Sequence, residues 1–95
     1  MKTIIKSGSH RKSFTQTTAK LIERSEKTQR EICEDIGYPH PNIITMFKNG
    51  ETKVPLNKVP ALAQALEIKP DKLMRLALQE YYPDAYQAIL SAIEK

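Results

Sequence analysis

The chain has 95 residues, 40 % of them hydrophobic and 27 % charged, with a net charge of +4. That length supports one core and burial of roughly two-thirds of the unfolded surface, and the composition is that of an ordinary folded domain, not a disordered segment. No apolar run approaches the ~18 residues of a membrane span, and a single cysteine, Cys33, excludes an internal disulfide or a cysteine-rich metal site.

The excess charge is local. Lys2, Lys6, Arg11 and Lys12 precede any acid, and the remaining eleven basic residues equal the eleven acidic ones in number. Residues 1–12 also hold Ser7, Gly8 and Ser9 and lack periodicity. They are expected to form a flexible basic arm, with Thr3 to Ile5 the one stretch able to make a short strand. Such an arm suits phosphate or a DNA groove, and equally a solvated tail. Only Ile4 and Ile5 separate Lys2 from Lys6. That is too little for the apolar centre of a secretory signal, so the expected address is the cytoplasm.

A first helix is expected from about Phe14 to Lys27, capped by Ser13. Phe14, Thr18, Leu21, Ile22 and Ser25 share one face at helical spacing. A second helix follows Thr28. Thr28 and Glu31 make a capping box, in which hydroxyl and carboxylate each satisfy a free amide. Ile32, Cys33 and Ile36 form the inward stripe, with Cys33 acting as a small hydrophobe. Gly37 supplies the left-handed residue that ends the helix.

The turn from Tyr38 to His40 leads into a third helix, about Pro41 to Lys48, whose first turn tolerates proline. Asn49-Gly50 stops it, because no strand pattern flanks the pair. Two short helices around a tight turn are the layout of a helix-turn-helix, which sets the second helix into the major groove of DNA. Asn42, Thr45, Met46 and Asn49 fall on the outer face of the third helix. That helix contains no Asp or Glu, as a helix lying between phosphate chains requires.

After a polar loop from Glu51 to Pro55, a fourth helix is expected near Asn57, with Asn57 as cap and Pro60 in its first turn. Leu62, Ala63 and Leu66 face inward. A fifth helix follows Pro70 and Asp71 and reaches about Tyr81. It carries two stripes, Leu73, Leu76 and Ala77, then Met74, Leu78 and Tyr82, so it needs cover on two sides. A sixth helix, about Asp84 to Glu94, aligns Tyr86, Ile89, Leu90 and Ile93. The expected fold is an all-α bundle of five short helices plus a carboxyl-terminal sixth. The divisions are the arm at 1–12, a DNA-binding domain at 13–82 and the last helix at 83–95.

Three segments carry a family resemblance. Thr28-Gln29-x-Glu31-Ile32-Cys33-x-x-Ile36-Gly37 resembles the first half of the helix-turn-helix of the Cro and phage-repressor (XRE-like) family. Asn49-Gly50-x-Thr52-Lys53-x-Pro55 is similar to the segment after its recognition helix, and Leu62-Ala63-x-Ala65-Leu66 to its fourth helix. The resemblance covers roughly residues 14 to 80. It implies a lambda-repressor-like bundle in which Gln29 bonds a DNA phosphate and braces the recognition helix, while Thr52 and Lys53 touch the backbone.

This chain departs from the pattern by one extra residue between Gly37 and Asn49-Gly50. If the insertion lies in the turn, Ile44 and Phe47 are core, and His40, Asn42, Ile43, Thr45 and Met46 face DNA. If it lies at the end of the third helix, Ile43 and Met46 are core. Pro39 and Pro41 favour the first, as does the burial preference of Phe. Asn42 and Thr45 point outward either way. Asn42 can bond an adenine edge in two places, Thr45 can contact a base or a thymine methyl, and Ile43 or Met46 can pack on such a methyl. Lys48 and Lys53 are expected on phosphates, and His40 on a phosphate or base.

The expected function is a small sequence-specific regulator, a repressor of double-stranded DNA, working without cofactor or metal. A palindromic operator implies a homodimer, with Tyr82, Tyr86, Ile89, Leu90 and Ile93 as the candidate dimer stripe. The same stripe can instead fold onto the chain's own first and fifth helices. The alternative function is an antitoxin-like or accessory module whose main partner is another protein. An enzyme is not expected, since no metal spacing, nucleophile motif or phosphate loop is present. A single-strand binder would need a basic aromatic platform that the six aromatic residues do not form.

Overall fold

The computed structural model describes residues 13–94. The basic arm and the Thr3 to Ile5 segment lie outside the described residues. Among those described there are six α-helices, one 3-10 turn and no strand.

α1 (Ser13–Arg24) places Phe14, Thr18 and Ile22 on its buried side at i, i+4 and i+8. Ser13 is itself helical and is not the cap. The free amides are satisfied from the far end of the chain. Glu80 Oε1 accepts from Phe14 N at 3.0 Å and Thr15 N at 3.1 Å, and Oε2 accepts from the Thr15 hydroxyl at 2.6 Å. A carboxylate at a helix amino terminus answers both the orphan donors and the positive end of the dipole. α1 also stops three residues early. The Ser25 hydroxyl accepts from Lys27 N at 3.0 Å, a local bond that competes with the helix.

α2 (Gln29–Ile36) begins with the expected capping box. Thr28 Oγ1 accepts from Glu31 N at 3.1 Å, and Glu31 Oε1 accepts from Thr28 N at 2.8 Å. Gly37 closes it at φ 84°, while Tyr38 N donates back to Cys33 O at 3.0 Å. α3 (Asn42–Asn49) ends the same way. Gly50 sits at φ 73° and Glu51 N donates to Met46 O at 2.9 Å. A side chain at either glycine would pay the left-handed penalty.

Leu56–Lys58 form the 3-10 turn that feeds α4 (Val59–Ala65), with Pro60 in its first turn. Asn57 lies inside that 3-10 turn and makes no capping bond; Lys58 N donates to Pro55 O at 2.9 Å. The expected asparagine cap is therefore replaced by a backbone turn. α5 (Pro70–Tyr81) buries Leu73 and Ala77, and α6 (Pro83–Glu94) packs on α5. α1 packs on α3 and α5, and α4 packs on α2 and α5. The shared core centres on Phe14, Ile32, Ile36, Ile44, Leu62 and Leu73.

Two long-range staples hold the frame. Tyr81 stacks edge-on against Phe14 with centroids 5.3 Å apart, and its phenol accepts from Val54 N at 2.9 Å. Burial pushes the Tyr81 phenol above its ordinary range, while the Val54 amide opposes that shift.

Candidate nucleic-acid interface

The candidate interface lies on the α2–turn–α3 unit. The turn spans Gly37 to Pro41, and Tyr38 is its anchor. Its ring meets Phe47 edge-on at 5.9 Å and lies 5.1 Å from the Lys58 ammonium. Lys58 also donates to Ile36 O at 2.9 Å, so a cation satisfies a last carbonyl of α2. Sequence reasoning missed Lys58 because it stands 22 residues from its acceptor. No local pattern marks such a pair. Cys33 takes the expected buried place and donates its thiol to Tyr38 O at 3.0 Å.

Ile44 and Phe47 are buried at 0 % and 3 % exposure, the core pair of the first of the two registers. Asn42, Thr45 and Asn49 are exposed on the opposite side, with Ile43 and Met46 half-buried along its edge. The reason is chemical. An eight-residue helix has room for one inward stripe, and the spacing of Ile44 and Phe47 fits it, with the bulky ring filling the space beside Tyr38.

Thr45 is tied to α2. Its hydroxyl donates to Gln29 Oε1 at 3.0 Å. That bond joins two predicted site residues across the helix pair and leaves the Gln29 amide nitrogen with two donors for another partner. Thr28 stays in its cap. His40, Asn42, Ile43 and Met46 come together with Tyr38 and Pro39 around a shallow groove of about 210 Å³.

The lysines stand differently. Lys48 lies 3.9 Å from Glu23 Oε2 of α1, and both side chains are partly exposed. A pair that long and wet contributes little and releases easily. The Lys53 ammonium sits over two rings, 5.3 Å from the centre of Tyr81 and 5.5 Å from that of Tyr82. Both distances are in the range of a cation–π contact. Thr52 beside it is half-exposed. On the other edge of α2, Lys27 bonds Asp35 at 2.8 Å; that hydrogen bond raises the lysine's pKa against an opposing desolvation.

The carboxyl-terminal stripe splits. Tyr86 is 9 % exposed within the chain and Leu90 is half-buried, whereas Tyr82, Ile89 and Ile93 remain 49 %, 45 % and 73 % exposed. α6 therefore uses one edge of its apolar face on α5 and leaves the rest open. Among the described residues no group of three His, Cys, Asp or Glu side chains is placed to hold a metal ion, and no helix is long and apolar enough to cross a membrane. No family model, no curated protein and no solved structure matches the chain.

Proposed function

We propose that this protein is a sequence-specific regulator of double-stranded DNA, a small repressor of the Cro and phage-repressor type, with α3 as its reading helix. One observation carries the reading. The Thr45 hydroxyl is bonded to Gln29 on α2, which ties an acid-free outer face bearing Asn42, Thr45 and Asn49 to its supporting helix. Rigid positioning on helices is what base readout needs, because a bidentate contact is lost with small displacements. Gln29 retains donors for a phosphate at the amino-terminal end of α2, where the helix dipole favours an anion. Lys48 and Lys53 are cations close to the same unit, and Lys48 can leave Glu23 for a phosphate at little cost.

Two copies reading half-sites one helical turn apart, ~34 Å, would give a palindromic operator. The open Ile89 and Ile93 edge of α6 supports that homodimer. The same edge supports the second reading, an accessory or antitoxin-like module whose partner is a different protein.

Selection of bound duplexes from a random pool tests the proposal. A recovered two-fold motif supports it. Recovery of no motif, with weak salt-sensitive binding to every duplex, overturns it. Sedimentation at micromolar concentration, with and without residues 84–95, separates the partner readings. A monomer at every concentration, unchanged by truncation, removes the homodimer.

A further inference from the structure

Resting on the reading of the chain as a DNA-binding protein, we infer that Tyr82 is a positioning residue. With Tyr81 it forms a two-ring corner that pre-orders the Lys53 ammonium for a phosphate of the DNA backbone. The two rings stand at 88° with centroids 6.5 Å apart, and the ammonium is nearly equidistant from them. A cation over one ring can slide across its face, whereas a cation in a corner is confined in two directions. Tyr81 is the fixed wall. Its ring packs edge-on against Phe14, and its phenol accepts from the amide of Val54, the residue after Lys53. The loop is therefore attached to the end of α5 at two successive residues, by side chain and then by backbone. Tyr82 is the open wall, 49 % exposed. Its N–H donates to Leu78 O at 2.8 Å and its C=O accepts from Tyr86 N at 3.0 Å, so the main chain beneath the ring is set by the α5–α6 joint.

The chemistry of the corner explains its use. Lysine meets a phosphate as a point charge on a flexible four-carbon stem, and the freedom of that stem is lost on binding. A side chain already confined loses less. A ring face attracts the ammonium without a formal negative charge, so it leaves that charge for an anion. Lys48, by contrast, stands beside the Glu23 carboxylate, while no salt bridge to Lys53 is present among the described residues. Lys53 is exposed, so a phosphate can reach it. It follows α3 through Gly50 and a short loop, so a phosphate gripped there sets the register of that helix.

Titration of the full chain with a short duplex of arbitrary sequence, at several salt concentrations, tests the assignment, because a phosphate contact does not depend on sequence. Tyr82→Leu removes the ring and keeps an apolar side chain. Affinity should fall roughly threefold, the order expected for ordering one rotamer-rich side chain, with the salt slope unchanged because the charge remains. Tyr82→Phe keeps the ring and should bind as the native chain does. In a Lys53→Ala background Tyr82→Leu should change nothing. Circular dichroism checks that each variant folds. In the native chain, proton resonances of the Lys53 ε-methylene should lie upfield of those of other exposed lysines, and an ordinary position overturns the corner without any variant. Native affinity in Tyr82→Leu overturns the positioning role and leaves the DNA reading intact. Tighter binding by that variant means that the ammonium leaves the rings to reach its phosphate, and also overturns it. A loss that persists without Lys53 arises elsewhere, as from the neighbouring open edge of α6, and does the same. The expected pattern together with no selected motif keeps the role of Tyr82 and removes the sequence-specific regulator. No binding to any duplex at low salt overturns both.

Discussion

α3 and α6 are both short amphipathic helices with one face on the body and one face free, yet the free faces are chemically opposite. On α3 the exposed positions are Asn42, Thr45 and Asn49, and a side-chain bond ties the face to α2. On α6 they include Ala85, Ala88, Ile89, Ala92 and Ile93, with Pro83, Asp84 and Gln87 at the start and Ser91 among them. A polar, acid-free face suits a hydrated, negatively charged groove. An open aliphatic face suits another protein surface. The two helices also differ in how far they belong to the fold. α3 delivers two fully enclosed side chains to the core, while α6 delivers Tyr86 and part of Leu90.

The strongest way to break this contrast is truncation in each helix. Ile44→Ala should cost about 2–5 kcal/mol, as for a large aliphatic side chain removed from a closed core. Ile93→Ala should stay within about 0.5 kcal/mol in the monomer. Urea denaturation of dilute protein measures both, and equal losses would make α6 as integral as α3. Next in size is the joint from which α6 hangs. Glu80→Gln weakens the carboxylate that caps α1 and should lower stability by about 1–3 kcal/mol while leaving duplex selectivity unchanged. A selectivity change on this variant would mean that the reading face depends on the α1–α5 tie.

Asn42→Ala sharpens the comparison at the reading face. It should relax preference at one base pair by about 1–3 kcal/mol without measurable loss of stability, because Asn42 is exposed. Lys53→Ala should weaken binding to every duplex alike and lower the slope of affinity against salt by about one phosphate contact. The reverse pattern, selectivity lost with Lys53 and kept without Asn42, would move the reading face away from α3.

The smallest effect concerns pH. The Tyr81 phenol is raised above its ordinary value by burial, so folding favours the protonated form. Its contribution is complete below about pH 10 and is lost as the pH rises beyond the folded-state value. Thermal melts from pH 9 upward should fall more steeply for the native chain than for Tyr81→Phe, where the phenol is absent. Parallel curves would show that Tyr81 does not couple folding to ionisation.

Much of this was legible along the chain because it is local. The Thr28–Glu31 box, the left-handed stops at Gly37 and Gly50 and the inward stripe of α2 each involve residues within one or two turns of each other, and all were expected. The misplaced caps have a shared cause. Ser13 and Asn57 have the right chemistry for capping, but a side chain from α5 and a backbone turn reached those amides first. Lys58 on Ile36 O was invisible for the same reason, whereas a brace from Gln29 to α3 was implied by the resemblance and only its partner, Thr45, came from the structure.

The amino-acid order alone determined an all-helical chain, both ends of α2, the stop of α3 and the inward stripe of α2, because periodicity, capping and left-handed glycine act over a few residues. Only the tertiary structure decided the register of α3, the partners of Glu80, Lys53 and Lys58, and how much of the α6 stripe stays open. Those depend on which side chains, distant in sequence, fill a given volume first, and that competition is resolved when the core closes.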